Sequence, residues 1–120
     1  MKQTAIALYK FASNFGWKAY PENSVPVNAK LPYVTYTLQE YNWDDMGMLQ
    51  MRLWYKGTDY VGLNNKIDEI TQYVEHGAKI DTESGAVWLY KGSPWCQYQP
   101  SDEVDLKIAY LNFNAHYTTK

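Results

Sequence analysis

Two runs of strict alternation around a short polar turn constrain this chain more than any other feature. In "PYVTYTLQEYNW", Val34, Tyr36 and Leu38 fall on one side and Thr35, Thr37 and Gln39 on the other. In "MLQMRLWYKG", Leu49, Met51, Leu53 and Tyr55 share one side, and Met48, Gln50, Arg52 and Trp54 take the other. Successive side chains of a strand point to opposite faces, so a period of two in β-branched and aromatic residues marks a half-buried strand. Between the runs, "NWDDMG" supplies turn chemistry. Two such runs joined this way form an antiparallel hairpin.

The period then changes. In "TDYVGLNNKIDEITQYVEHG", Tyr60, Leu63, Ile67, Ile70 and Val74 step by three and four, the single apolar stripe of a helix. Thr58 or Asp59 caps its start and Gly77 ends it. Gly62 inside this helix costs roughly 1 kcal/mol against Ala and marks a close approach. A shorter helix is expected earlier, over Thr4 to Phe15, where Ala5, Leu8, Ala12 and Phe15 keep helical spacing. Thr4 is its expected N-cap and Gly16 its stop. "YPENSVPVNAKLP", with three prolines, reads as an irregular connection.

The last third reads as strands. "AKIDT" is a short one. "GAVWLYKG" places Val87 and Leu89 on one face and Trp88 and Tyr90 on the other. Gly92, Ser93 and Pro94 break it, and "WCQYQ" resumes as a second short strand or edge. In "DEVDLKIAYLNFNAHYT", Val104, Leu106, Ile108 and Tyr110 alternate with Asp105 and Lys107, but Leu111 and Phe113 occupy the other parity. Either a bulge near Ala109 or a strand buried on both faces over Ile108 to Leu111 accounts for the switch. Strands grouped around one main helix define an α+β fold in a single domain, residues 1–120. The expected architecture is a mostly antiparallel sheet with the N-terminal and main helices packed on one face. The other face carries Trp54, Trp88 and Tyr90 with nothing to cover it, which points to contact with another chain.

Composition narrows the function. The formal charge is −2, from 11 basic and 13 acidic residues without a basic run, which argues against nucleic-acid binding as the main task. One Cys excludes an intramolecular disulfide and multi-Cys zinc patterns. A reducing cytoplasm is therefore the default compartment. The apolar run Ala5 to Tyr9 is too short for a signal-peptide core or a membrane span.

No residue argues for catalysis, and no metal or cofactor is expected. His76 falls in the last turn of the main helix, and His116 in the polar set of the last strand. Cys96 lies between Trp95 and Gln97 and reads as a small half-buried strand residue. The Asp44-Asp45 pair and the set Asp102, Glu103 and Asp105 lack calcium-loop spacing. The aromatic share of 17%, with 12 Tyr and 5 Trp, is the feature that asks for an explanation. Trp54, Trp88, Trp95 and Tyr98 either stack on flat ligands, as in a carbohydrate-binding module, or bury against protein neighbours, where Trp and Tyr are favoured anchors.

"LPYVTYTLQEYNW", "RLWYKGTDYVGLNNKIDEI", "VWLYKGSPWCQYQ" and "IAYLNFNAHY", spanning about Leu31 to Tyr117, resemble the minor capsid or tail-completion proteins of long-tailed phages and prophages of Gram-positive bacteria. These are similar to tail terminators. The resemblance implies an antiparallel sheet with helices on one face and a ring, generally a hexamer, which is built in the host cytoplasm and sits in the virion neck. The subunit is expected to be a monomer when free. Its implied partners are other copies of itself, the tail tube protein and the head–tail connector, with DNA passing through the lumen unbound. A neck-adaptor role is the near alternative. Carried over by region, the resemblance makes Trp43, Asp44, Asp45, Met46 and Met48 candidates for contact with tube or neck. Trp54, Trp88 and Tyr90 become candidate inter-subunit residues, and Trp95 and Tyr98 candidates for either contact.

Overall fold

The alternating runs form the hairpin they predict. Strand β2 (Tyr33–Tyr41) pairs antiparallel with β3 (Met46–Lys56), from Tyr33 opposite Trp54 to Tyr41 opposite Met46. This is a computed structural model, and it describes residues 2–41, 46–83 and 85–119. Helix α1 (Lys2–Ala12) and a 3₁₀ turn (Ser13–Phe15) lead into β1 (Lys18–Pro21), β2 and β3. Helix α2 (Val61–Tyr73) follows, then β4 (Ala78–Asp81), β5 (Gly85–Gln99) and β6 (Leu106–Thr119). The six strands lie in the order β1-β2-β3-β6-β5-β4. Among the described residues only the β1–β2 pair is parallel. The fold is α+β, with a mostly antiparallel sheet and both helices on one face.

That helical face holds the core. Val34, Leu49, Met51, Leu53, Val87, Leu89, Leu111 and Phe113 project from the sheet and are fully buried. Against them pack Leu8, Phe11 and Phe15 from the N-terminal segment and Leu63, Ile70 and Val74 from α2. Phe11 meets Phe15 and Phe113 edge-on, at ring separations of 5.3 and 5.4 Å. Each buried side chain of this size stabilises the fold by about 1.5–3 kcal/mol relative to exposure.

Local signals explain the helix ends. The Asp59 carboxylate accepts the Val61 N–H at 3.0 Å, satisfying one free donor of the first turn of α2. Helix α2 ends at Tyr73 with Val74 as its C-cap, so Gly77 does not end it. At φ +88° Gly77 closes the turn that follows, its N–H donating to the Val74 carbonyl at 2.9 Å, while Gly16, also left-handed, caps the 3₁₀ turn. Gly62 is explained by contact: a Cβ there would lie 2.1 Å from the Tyr55 hydroxyl. The Tyr55 ring is in turn stacked on Trp17 at 5.9 Å, so it is not free to swing away.

The structure departs from expectation in four further places. Helix α1 begins at Lys2, so Thr4 lies within its first turn and is not its cap. β1 falls partly inside the connection read as irregular, where it pairs in parallel with Tyr33 to Tyr36. "GAVWLYKGSPWCQYQ" is one strand, not two. Between Lys91 and Cys96 the chain advances five residues while β6 advances two, from Phe113 to Leu111, so three residues bulge out and pairing resumes. β6 itself has no bulge. It pairs with β3 without a break from Leu106 to His116, and the switch in parity reflects burial on both faces, with Ile108 3% and Ala109 0% exposed. Val104 lies before the strand and is exposed.

Candidate interaction surface

The face of the sheet opposite the helices carries a cluster centred on Arg52. Its guanidinium donates to the Tyr110 hydroxyl at 2.9 Å and pairs with the Glu22 carboxylate at 2.7 Å. It also lies 4.4 Å from the Tyr110 ring centre and 5.6 Å from that of Trp54. Glu22 in turn is bonded to the Thr37 hydroxyl. The Trp54 indole N–H donates to the Thr35 hydroxyl at 3.0 Å, and Thr35 is 2% exposed. Tyr33 stacks on Trp54 at 5.9 Å, and Tyr20 meets Tyr33 edge-on at 5.8 Å. One cation is thus held by two aromatic rings and a carboxylate, and the Tyr33 and Tyr20 rings extend the cluster, which ties β1, β2, β3 and β6 together from the outside.

Next to this cluster the face becomes an uncharged amide ladder. The Gln50 amide donates to Asn112 Oδ1 at 3.0 Å. The Asn112 amide donates to the Pro94 carbonyl at 3.1 Å and to Gln97 Oε1 at 3.3 Å, which holds the bulge of β5 against β6. Beyond the ladder lie Met48, Asn114 and Tyr90 in one row, and His116 with Trp88 in the next.

The sequence-predicted residues do not gather into one patch. Trp54 is level with Ile108 of β6, and Trp88 with His116. Eight residues of strand at about 3.4 Å each separate them by roughly 27 Å along β6. Tyr90 is exposed and lies beside Trp88, close against Gly77. Met48 is half-buried between Gln39 and Asn114. Met46 opens β3, while Trp43, Asp44 and Asp45 lie outside the described residues.

Trp95 and Tyr98 belong to the other side. The Trp95 indole N–H donates to the Thr71 hydroxyl of α2 at 3.1 Å, and its ring stands edge-on to Phe113 at 4.9 Å. The Tyr98 hydroxyl donates to Asn64 Oδ1 at 2.6 Å, and its ring meets Tyr60 edge-on at 5.4 Å. Both residues fasten the second half of β5 to α2. Cys96 packs against the core between them, and burial pushes its thiol above the ordinary range. That keeps it protonated and works against a thiolate nucleophile. His76 is exposed just past α2, and His116 is exposed on the open face. Among the described residues no three His, Cys, Asp or Glu side chains stand close enough to hold a metal ion.

Sequence reasoning missed the Arg52–Glu22 cluster. Arg52 was visible as the one charge in the outward set of the second alternating run, beside Trp54. Nothing local marked Glu22, which reaches Arg52 only because β1 pairs with β2. A second feature also escaped notice, an apolar groove of about 500 Å³ lined by Leu8, Pro21, Tyr36 and Leu38, with Glu22 and Thr37 at its margin. It lies where β1 ends and β2 continues.

No protein-family model matches this sequence, and no curated protein sequence matches it.

Proposed function

We propose that this chain is a non-enzymatic virion assembly protein of the tail-terminator type. It forms a ring on the last ring of the tail tube, ends tube growth and docks to the head connector. The observation that carries this reading is the sheet itself. Two helices pack on one face, nothing among the described residues covers the other, and unlike strands, β1 with β2 on one side and β4 on the other, form its opposite edges. A ring needs two unlike patches on each subunit that meet head to tail, and such a sheet supplies them. The uncharged amide ladder also suits a surface past which DNA slides without being held, since affinity for duplex comes mainly from cationic contacts to phosphate.

A carbohydrate-binding module has less support. Its four platform residues divide between the two faces, and the rings of Trp54 and Trp95 are already packed against Tyr33 and Phe113. Electron microscopy of particles made without this protein tests the proposal. Tails of uncontrolled length are expected. Normal-length tails left unattached to heads would assign a neck-adaptor role instead, and normal tails firmly joined to heads would sink both.

A further inference from the structure

The two free edges of the sheet are complementary to each other. β1 ends at Pro21, opposite Tyr36, and one last main-chain bond follows, from the Glu22 N–H to the Tyr36 carbonyl at 3.0 Å. From Leu38 to Tyr41 no strand lies beside the outer edge of β2 among the described residues. Because alternate residues of a strand direct their N–H and C=O to the same side, Leu38 and Glu40 repeat the orientation of Tyr36 and point outward. The apolar groove beside Leu38 flanks this open lane. At the far side of the sheet, β4 pairs only with β5 among the described residues, so no strand lies along its outer edge.

Direction, length and facing all match. Four successive antiparallel pairings separate β2 from β4, so the two strands run the same way. The open lane spans residues 38–41, and β4 spans Ala78–Asp81. Thr82 donates its N–H to Gly85 at the β4–β5 end, so Lys79 and Asp81, of the opposite parity, direct their main-chain groups outward. Ala78 and Ile80 lie on the helical face, as Leu38 does, and Lys79 lies on the open face over Trp88.

We infer that β4 of one copy of this chain adds in parallel to the open lane of β2 in the next copy. Ala78 then lies opposite Leu38, at the groove formed by Leu8, Tyr36 and Leu38, with Ile80 the next residue along on the same face. Lys79 lies opposite Gln39, one open-face position along from the Glu22 carboxylate. The Leu38 carbonyl accepts the Lys79 N–H, and the Glu40 carbonyl accepts the Asp81 N–H. The sheet continues from subunit to subunit with its helices always on the same side, by β-strand addition. Such a contact is heterologous and either closes into a ring or grows as a filament. The inference names the subunit contact of the proposed ring and rests on that reading for the closure.

Cross-linking in the full chain tests it, in a Cys96→Ala background. Gln39→Cys and Lys79→Cys face each other across the contact, and oxidation traps it even when the encounter is transient. Mixing the two single variants is expected to give a dimer, and one chain carrying both is expected to give a ladder of covalent oligomers. Neither single variant gives a dimer alone. Lys79→Pro is the second arm. Pro on an outward-facing edge position takes no bond from the sheet of the monomer, so the circular dichroism spectrum stays unchanged. Self-association weakens roughly 10- to 100-fold, because the Leu38 carbonyl loses its donor. Lys79→Ala keeps it.

A dimer from Gln39→Cys alone overturns the inference, as does the absence of any cross-link at the highest soluble concentration. A ladder from Gln39→Cys with Gln97→Cys in place of Lys79→Cys also overturns it, by assigning the contact to the outer side of β5 beyond Leu89, which β4 does not cover, while leaving the ring intact. Failure of the ring reading itself shows separately, as normal virions made without the protein.

Discussion

Two positions show how single residues are fixed by what touches them. At Gly62, ordinary helix propensity says that Ala should add about 1 kcal/mol of stability. The Tyr55 ring, held by Trp17, fills the place of a Cβ. Gly62→Ala is therefore expected to destabilise by about 1–3 kcal/mol, the usual cost of overpacking, measured by urea unfolding. At Cys96 the matter is protonation. The folded chain holds the thiol proton more tightly than the unfolded chain does, because burial disfavours the thiolate. The hydroxyl of Tyr36 is raised in the same sense, by burial first and then by Tyr9. Stability from these groups is fully present below the ordinary thiol value of 9.0 and is lost as pH rises above it. The urea midpoint is expected to fall between pH 8 and pH 10, and to fall less in Cys96→Ala. Modification of the thiol by a disulfide reagent at pH 8 should be slower in the folded chain than in urea. A folded-state rate equal to the unfolded one would remove this account.

Among the elements, β5 is the strand whose second half is fastened to helix α2 by side-chain hydrogen bonds. Its three extra residues would leave the second half loose, but Trp95 bonds to Thr71 of α2, whose hydroxyl also donates to the Ile67 carbonyl. A double-mutant cycle with Trp95→Phe and Thr71→Val is expected to give a coupling of about 1 kcal/mol in unfolding free energy. Zero coupling would mean that the indole N–H contributes nothing to fastening the strand. The same element shows where sequence reasoning stops. The β2–β3 hairpin and α2 were legible because their periods run unbroken along each element and their partners are close in sequence. β5 was not, because Gly92-Ser93-Pro94 is turn chemistry in any local reading, and only pairing with β6 makes it a bulge. β1 escaped for a similar reason. It has four residues, ends in Pro21, and is defined by a parallel neighbour fifteen positions on. At the candidate surface, the outward facing of Trp54, Trp88 and Tyr90 followed from parity alone. Their separation did not, since it depends on the registers of β3, β5 and β6 together. Tyr98 turns to α2 because the bulge resets the parity from Cys96 onward, whereas Trp95 reaches α2 from within the bulge itself.

Across the whole molecule, the roughly 27 Å between Trp54 and Trp88 makes two working regions out of what composition presents as one aromatic excess. Trp54 sits in the sealed cluster with Tyr33, Thr35 and Arg52, where its ring and its N–H are both engaged. Trp88 lies half-exposed beside Tyr90 and under Lys79, next to the free edge of β4. The first arrangement stabilises the subunit, and the second leaves apolar area for a neighbour to cover. Trp54→Ala is expected to cost about 2–4 kcal/mol in urea unfolding, since it also leaves the buried Thr35 hydroxyl without its donor. Trp88→Ala is expected to cost less than about 1 kcal/mol, as half-exposed surface positions do, while weakening self-association by about tenfold or more. Both variants are compared by sedimentation at concentrations where the unaltered chain associates, with unfolding measured in parallel. If Trp88→Ala associates like the parent chain, the far end of the open face is not part of the subunit contact. If Trp54→Ala keeps full stability but loses association, the two regions have the opposite roles, and the sealed cluster around Arg52 is the surface that a neighbour meets.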